Sequence, residues 1–98
     1  MKVQFKLASA QEVASVINVA LEGRKLGDLV TIAATGQDLV LTVSKLGTST
    51  LIFSGSPLGK GIEFNLTSEK IAFTHKAMKD TFKGKIAKVI EQAGGTIS

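Results

Sequence analysis

The chain lacks cysteine, tryptophan and tyrosine, and it contains one proline and one histidine among its 98 residues. Without cysteine it can form no disulfide framework, no thiolate metal site and no thiol nucleophile. Charged residues recur so often that no uncharged stretch reaches the roughly 20 apolar residues of a membrane-spanning helix. The N-terminus alternates between polar and apolar residues instead of entering an apolar run, so we expect no secretory signal and a cytoplasmic protein.

The composition that remains is that of one small globular domain. Hydrophobic residues make up 44% of the chain. A chain of this length buries roughly 60 to 70% of its unfolded surface on folding, which is enough for a single core. Twelve basic residues against eight acidic ones give a net charge of +4. This excess favours a polyanionic partner without requiring one, because many small basic proteins bind none.

The N-terminal part of the chain predicts a strand followed by a helix. Residues Lys2 to Leu7 alternate between polar and apolar, which is the period of a half-buried strand. Ser9 followed by Glu12 is a capping box, and apolar residues then recur at helical spacing as far as Gly23. We therefore expect the first helix to begin directly after Ser9.

The middle of the chain predicts five short strands rich in β-branched residues. The segments between them have the length of hairpin loops, so successive strands should pair antiparallel. Ile71 and Phe73, two residues apart, favour a fifth strand over an early turn of the final helix. The expected strands are approximately Leu29 to Ala34, Leu39 to Lys45, Ser49 to Ser54, Ile62 to Leu66, and Lys70 to Thr74.

The C-terminal part predicts an amphipathic helix from about Lys76 to Ala93, ended by Gly94 and Gly95. Gly84 inside this helix indicates a bend or a close approach to the sheet. An antiparallel sheet with one apolar face needs a cover, and the two helices are the elements that can supply it. The predicted fold class is therefore α+β: a two-layer domain in the order β-α-β-β-β-β-β-α, with its antiparallel sheet packed against both helices.

The residues that could carry catalysis are few. His75 is the one histidine, and we interpret it as a solvated or capping side chain rather than a general base. The carboxylates are scattered, and Glu63 and Glu69 are expected on the outer face of the sheet, neutralised by Lys60 and Lys70. We therefore predict no catalytic residues, no metal site and no cofactor, and a protein that is not an enzyme.

The densest charge is a run of lysines in the predicted C-terminal helix, with Asp80 as the one acid among them. On a helical wheel three of these lysines lie beside the apolar arc, whereas Lys85 and Lys88 point to the opposite side. Such lysines commonly lay their stems over the core and keep the ammonium in water, so an ordinary solvated face is one interpretation. Polyanion binding is the other. Its expected contacts are Lys76, Lys79, Lys83, Lys2 and Lys6.

The aromatic residues give little support to nucleic-acid binding on the sheet, which normally uses exposed aromatic faces. Phe53 is ambiguous, because the run from Leu51 to Phe53 is apolar on both faces. We expect this strand to be central, or partly exposed at a subunit contact, which leaves a homodimer open. The phenylalanines expected to face the core are Phe5, Phe64, Phe73 and Phe82.

Three parts of the chain carry a resemblance to a known family: the first strand with the helix to Leu21, the strand pair around Gly36 and Leu39, and the stretch Gly61 to Glu91. In these parts the chain resembles a family of small bacterial proteins associated with the polyhydroxyalkanoate system. Its element order is also similar to reduced helix-grip lipid-binding folds and to the half-repeat of TATA-binding-type domains, which use the outer sheet face on nucleic acid. These resemblances imply a common architecture, and no binding residue is carried over from them.

Two functions are consistent with these observations. The first is a non-catalytic binding or accessory module that presents its sheet and C-terminal helix to a protein partner or an apolar ligand. The second is a weak nucleic-acid-binding domain that uses the lysines of the C-terminal helix. An enzyme is a third, less favoured class, because the chain offers no nucleophile, base or metal constellation.

Overall fold

The computed structural model describes residues 2–24, 29–45 and 47–98, without the side chains of residues 78–82. It confirms the α+β class: one sheet of antiparallel strands and two α-helices. The strands are β1 (Lys2–Phe5), β2 (Val30–Thr35), β3 (Asp38–Ser44), β4 (Thr48–Leu58), β5 (Gly61–Lys70) and β6 (Thr96–Ile97). The helices are α1 (Ala10–Gly23) and α2 (Lys79–Gln92), and a short 3₁₀ segment (Phe73–Met78) precedes α2.

The strands lie in the order β2-β3-β4-β5-β1-β6. Helix α1 carries the chain from β1 across one face of the sheet to β2 at the far edge. Three hairpins then bring the chain back, so that β5 pairs antiparallel with β1. One face of every long strand is buried under the helices, as the alternation of the sequence predicts.

Helix α1 begins as the sequence predicts. The side chain of Ser9 accepts a hydrogen bond from the backbone N–H of Glu12 at 3.3 Å, and the carboxylate of Glu12 accepts one from the N–H of Ala8 at 3.1 Å. The first bond satisfies a donor that the first turn of a helix leaves free, and the second ties Glu12 back to the residue before the N-cap. The apolar face of α1 then packs on the sheet, with Val13 and Ile17 almost fully buried.

Strands β4 and β5 are longer than predicted. They join in a tight turn at Gly59 and Lys60, so the expected loop from Gly55 to Gly61 is mostly strand. Pro57 is tolerated there because the pairing of β3 with β4 ends at Ser54. On that side of β4 no strand lies beside Pro57 to need the N–H that proline lacks. At this end of the sheet the β4–β5 hairpin therefore extends beyond β3, while β5 stays paired with β1 as far as Ile62.

The separate strand predicted from Lys70 to Thr74 is wrong. Strand β5 runs without a break to Lys70, with a bulge at Thr67 where the register to β4 shifts. The bulge is held by the Thr67 hydroxyl, which donates to the carbonyl of Ile52 at 3.3 Å. The chain then leaves the sheet and enters the 3₁₀ segment at Phe73.

Helix α2 starts three residues later than the predicted Lys76, because the 3₁₀ segment occupies the preceding turn. It ends as predicted near Gly94, whose φ of 104° lies in the region that favours glycine over other residues. The short β6 that follows pairs with β1 and was not predicted. In the described part of the chain, neither helix is both long and apolar enough to cross a membrane.

Gly84 makes no close approach to the sheet, which corrects one of the two roles expected for it. It is exposed, and a Cβ built on it meets nothing within 4 Å. We expect Gly84→Ala to raise the free energy of unfolding by about 1 kcal/mol, because alanine lowers the backbone entropy of the unfolded chain and favours the helix. Thermal unfolding checks this result, and a melting temperature at or below that of the wild type would contradict it.

Candidate functional site

A buried polar cluster lies at the end of the sheet where β3, β4 and β5 meet the 3₁₀ segment. Ser49 of β4 is fully buried and His75 is 6% exposed. The Ser49 hydroxyl lies 2.5 Å from Nδ1 of His75, and the Nε2 of His75 lies 2.5 Å from the backbone carbonyl oxygen of Lys45. The Ser49 oxygen also accepts the backbone N–H of Ala72 at 2.9 Å.

The hydrogen-bond partners of His75 determine which of its ring nitrogens donates. A carbonyl oxygen can only accept, so Nε2 of His75 carries a hydrogen and donates it to Lys45. In the neutral ring Nδ1 is then an acceptor, and the Ser49 hydroxyl donates to it. Across the described residues no buried side-chain nitrogen or oxygen lacks a hydrogen-bond partner. The cluster is therefore a complete hydrogen-bonded network.

Of the two roles predicted for His75, a solvated or a capping side chain, its burial shows that the solvated one is wrong. The geometry of the network is that of a serine activated by a histidine, but a nucleophile must reach its substrate, and the side chain of Ser49 has no exposed surface. The pair therefore has a structural role. One signal in the sequence points to it: Ser49 is a polar residue on the face of β4 that also carries Leu51 and Phe53, and a buried hydroxyl needs a partner.

The network fixes the 3₁₀ segment against the loop after β3. Tight packing adds to this, because a Cβ on Gly47 would lie 2.8 Å from the Thr74 hydroxyl and 3.1 Å from the Cβ of Ala72. Gly47 has a φ of 132°, a conformation that other residues rarely adopt. The hydrogen bonds of His75 and the close packing at Gly47 therefore set the direction in which the 3₁₀ segment presents its side chains.

The outer side of this segment carries Phe73, whose side chain is 87% exposed. The prediction that Phe73 faces the core is wrong. It rests on a strand that would include Phe73, whereas the last residue of β5 is Lys70 and Phe73 begins the 3₁₀ segment. Phe5, Phe53 and Phe64 are buried, whereas the side chain of Phe82 lies outside the described part of the structure.

Three exposed lysines lie on elements around Phe73. Lys45 directly follows β3, and its carbonyl accepts the hydrogen bond from His75. Lys70 is the last residue of β5, and Lys76 lies in the 3₁₀ segment after Phe73. Within the residues that the structure describes, none of the three has an ion-pair partner. We call the surface formed by Lys45, Lys70, Phe73 and Lys76 the sheet-end surface.

The lysines predicted to contact a polyanion do not form one patch. Lys83 is half-buried and forms an ion pair with Glu69, and the Lys2 ammonium lies 4.0 Å from the Glu63 carboxylate. These pairs replace the predicted partners Lys60 and Lys70. Lys6 is exposed next to Gly61, at the opposite end of the sheet. Lys76 belongs to the sheet-end surface, and the side chain of Lys79 is outside the described part. Lys85 and Lys88 are exposed, as predicted.

The open face of the sheet is polar and balanced in charge. Strand pairing aligns threonines across it, with Thr31, Thr42 and Thr50 in one row that ends at Lys70. In the described strands the face carries the ammonium groups of Lys2 and Lys70 and the carboxylates of Asp38 and Glu63. A nucleic-acid saddle needs an excess of positive charge, which this face does not have.

Side chains leave little space in the described part of the core between the sheet and the helices. A cavity of about 10 Å³ is lined by core residues that include Phe5, Ile17, Phe64 and Ile90. That volume holds about one water molecule at most. The described core therefore has no enclosed site for an apolar ligand at this place.

The described residues contain no group of three or more His, Asp or Glu side chains that could hold a metal ion. Comparison of the chain with protein-family models, with curated proteins and with solved structures finds no match.

Proposed function

We propose that this domain is a non-catalytic binding module that docks a protein partner through the sheet-end surface. The observation that carries the proposal is the exposure of Phe73, at 87% of its possible surface. The partner that fits is a protein with an apolar pocket for the phenyl ring and carboxylates at the rim of that pocket, opposite Lys45, Lys70 and Lys76.

Two physical properties of Phe73 suit it to this role. Burying a large aromatic side chain stabilises a protein by about 2 to 3 kcal/mol. Because Phe73 is exposed in the free domain, this free energy becomes available when a partner buries the ring. The backbone beneath it is held by the network of Ser49 and His75 and by the packing on Gly47. A pre-positioned anchor loses little conformational entropy when it binds.

The arrangement of the same surface favours a second candidate, which is single-stranded nucleic acid. Exposed aromatic rings stack on bases, and the three lysines could contact the backbone phosphates. In this candidate the sheet-end surface replaces the predicted set Lys76, Lys79, Lys83, Lys2 and Lys6, of which it keeps Lys76. Three phosphate contacts to a single strand would give a slope of about −2 in the logarithm of the binding constant against log salt.

The test is a Phe73→Ala variant. Because the ring is almost fully exposed, we expect the free energy of unfolding to change by less than about 0.5 kcal/mol. With a partner identified by photo-cross-linking from position 73, we expect calorimetric titration to show binding at least about 30-fold weaker, the effect of an interface hot spot. Val19→Ala is the matched control, because Val19 is 69% exposed on α1, away from this surface.

The outcomes separate the two candidates. Loss of protein binding on Phe73→Ala, with the Val19→Ala variant unaffected, supports the docking module, and unchanged binding by both contradicts it. Anisotropy of labelled single-stranded DNA at about 50 and about 200 mM salt tests the second candidate. Saturable binding that weakens with salt and is lost in Phe73→Ala would transfer the function to nucleic acid.

A further inference from the structure

The backbone of β2 faces outward at the edge of the sheet. Thr35 and Asp38 flank a two-residue turn, so they exchange hydrogen bonds, and in an antiparallel ladder this pattern repeats at every second residue. The Leu29 carbonyl accepts the N–H of Ser44 at 2.8 Å, which fits the same alternation. The N–H and C=O groups of the even-numbered residues of β2 therefore point away from β3. These residues are Val30, Ile32 and Ala34.

An α1 side chain occupies the middle of this edge. The Asn18 amide donates to the carbonyl of Ile32 at 3.1 Å. That bond independently confirms the outward direction of the Ile32 carbonyl. In the described part of the structure, it is the one side-chain hydrogen bond to the outward groups of β2. Strand β2 has neither a charged residue nor a proline, which are two of the devices against edge pairing.

We infer that β2 is a strand-addition site for a second copy of this chain, which pairs antiparallel through its own β2 about a two-fold axis at Ile32. In this register Val30 faces the partner copy's Ala34, and Ile32 faces its counterpart. All three outward residues of each strand then exchange hydrogen bonds, which gives a sheet continuous through both copies. Asn18 competes with this pairing, because its amide already binds the Ile32 carbonyl oxygen that the partner copy's strand would use.

The composition of the edge favours a second copy of this chain as the occupant. The sequence Val-Thr-Ile-Ala-Ala-Thr contains no charge, so pairing two copies of β2 places no like charges opposite each other across the strand pair. Both faces of the joined strands match: Ile32 meets Ile32 on the helix side, and Thr31 meets the partner copy's Ala33 on the open face. An interface of one strand pair is small, so the expected dissociation constant is about 100 μM. This site is separate from the sheet-end surface, and its failure leaves the proposed function untouched.

The test is sedimentation equilibrium of the full chain from about 10 μM to about 1 mM, the range that brackets this dissociation constant. We expect a reversible dimer. Ala34→Pro removes an outward N–H without removing a bond to β3, and proline is tolerated on edge strands, so we expect dimerisation to weaken at least tenfold. Ala34→Ser keeps the N–H and is the matched control, with dimerisation as in the wild type.

A second variant keeps the inference testable if Ala34→Pro unfolds. Asn18→Ala frees the Ile32 carbonyl, and we expect dimerisation to tighten by about threefold to tenfold, the effect of one or two net hydrogen bonds. A chain that stays monomeric at about 1 mM, in the wild type and in Asn18→Ala, overturns the inference. So does a dimer that a folded Ala34→Pro variant forms as tightly as the Ala34→Ser control.

Discussion

Replacing His75 with alanine is expected to lower the free energy of unfolding by about 3 kcal/mol, the sum of a lost buried ring and an unsatisfied hydroxyl. The imidazole is the acceptor for the fully buried Ser49 hydroxyl and the donor to the Lys45 carbonyl. Without it, the bond accepted from Ala72 is the one that the hydroxyl keeps among the described residues. A domain of this size has a stability of about 5 to 15 kcal/mol, so the variant should fold with a clearly lower midpoint.

Urea denaturation measures this effect as a shift of the midpoint at constant slope. Lys76→Ala is the matched control in the same segment, because its side chain is exposed, and it should change the free energy of unfolding by less than about 0.5 kcal/mol. A loss below about 1 kcal/mol for His75→Ala would mean that the network does not hold the segment.

The double variant Ser49→Ala with His75→Phe examines the same network. Each single change leaves a buried partner without its hydrogen bond, whereas the double change removes both polar groups together. We therefore expect the double variant to lose less stability than the sum of the two single variants, with a coupling energy of about 1 to 2 kcal/mol. Additive effects would show that the two side chains act independently.

The same cluster shows why the candidate site was only partly predictable. Alternation along β4 gives the face on which Ser49 lies, but its partner is 26 residues away along the chain. That pairing depends on the chain leaving the sheet after Lys70. The spacing of Ile71 and Phe73 is also that of a strand, and nothing local to these residues distinguishes the two outcomes. The exposure of Phe73 therefore could not be predicted.

The ion pairs also join residues that are far apart in sequence. The prediction matched Glu63 and Glu69 with lysines that are near in sequence, whereas the structure pairs them with Lys2 of β1 and Lys83 of α2. Both partners come from elements that only the sheet order and the helix packing bring close. Helix α1, the hairpins and the apolar strand faces depend on local signals, and they could be predicted.

A methyl group at Gly61 is expected to be at least as damaging as the loss of His75. A Cβ built at this position overlaps the carbonyl oxygen of Phe5 and lies 3.2 Å from its carbonyl carbon and 3.4 Å from the Cα of Lys6. These are backbone atoms of β1 and the residue after it, so no side-chain rotation can relieve the overlap. Gly61→Ala should therefore lower the free energy of unfolding by about 3 kcal/mol, the upper range for overpacking.

The strand that must move is held on three sides, which is why the cost is high. The side chains of Val3 and Phe5 are buried in the core, and β1 pairs with β5 on one side and with β6 on the other. Gly84→Ala is the matched control: the same change is expected to stabilise, because nothing lies within 4 Å of its Cβ. Urea denaturation of both variants should give midpoint shifts of opposite sign. A Gly61→Ala variant as stable as the wild type would show that β1 can move away from β5 without losing its core contacts.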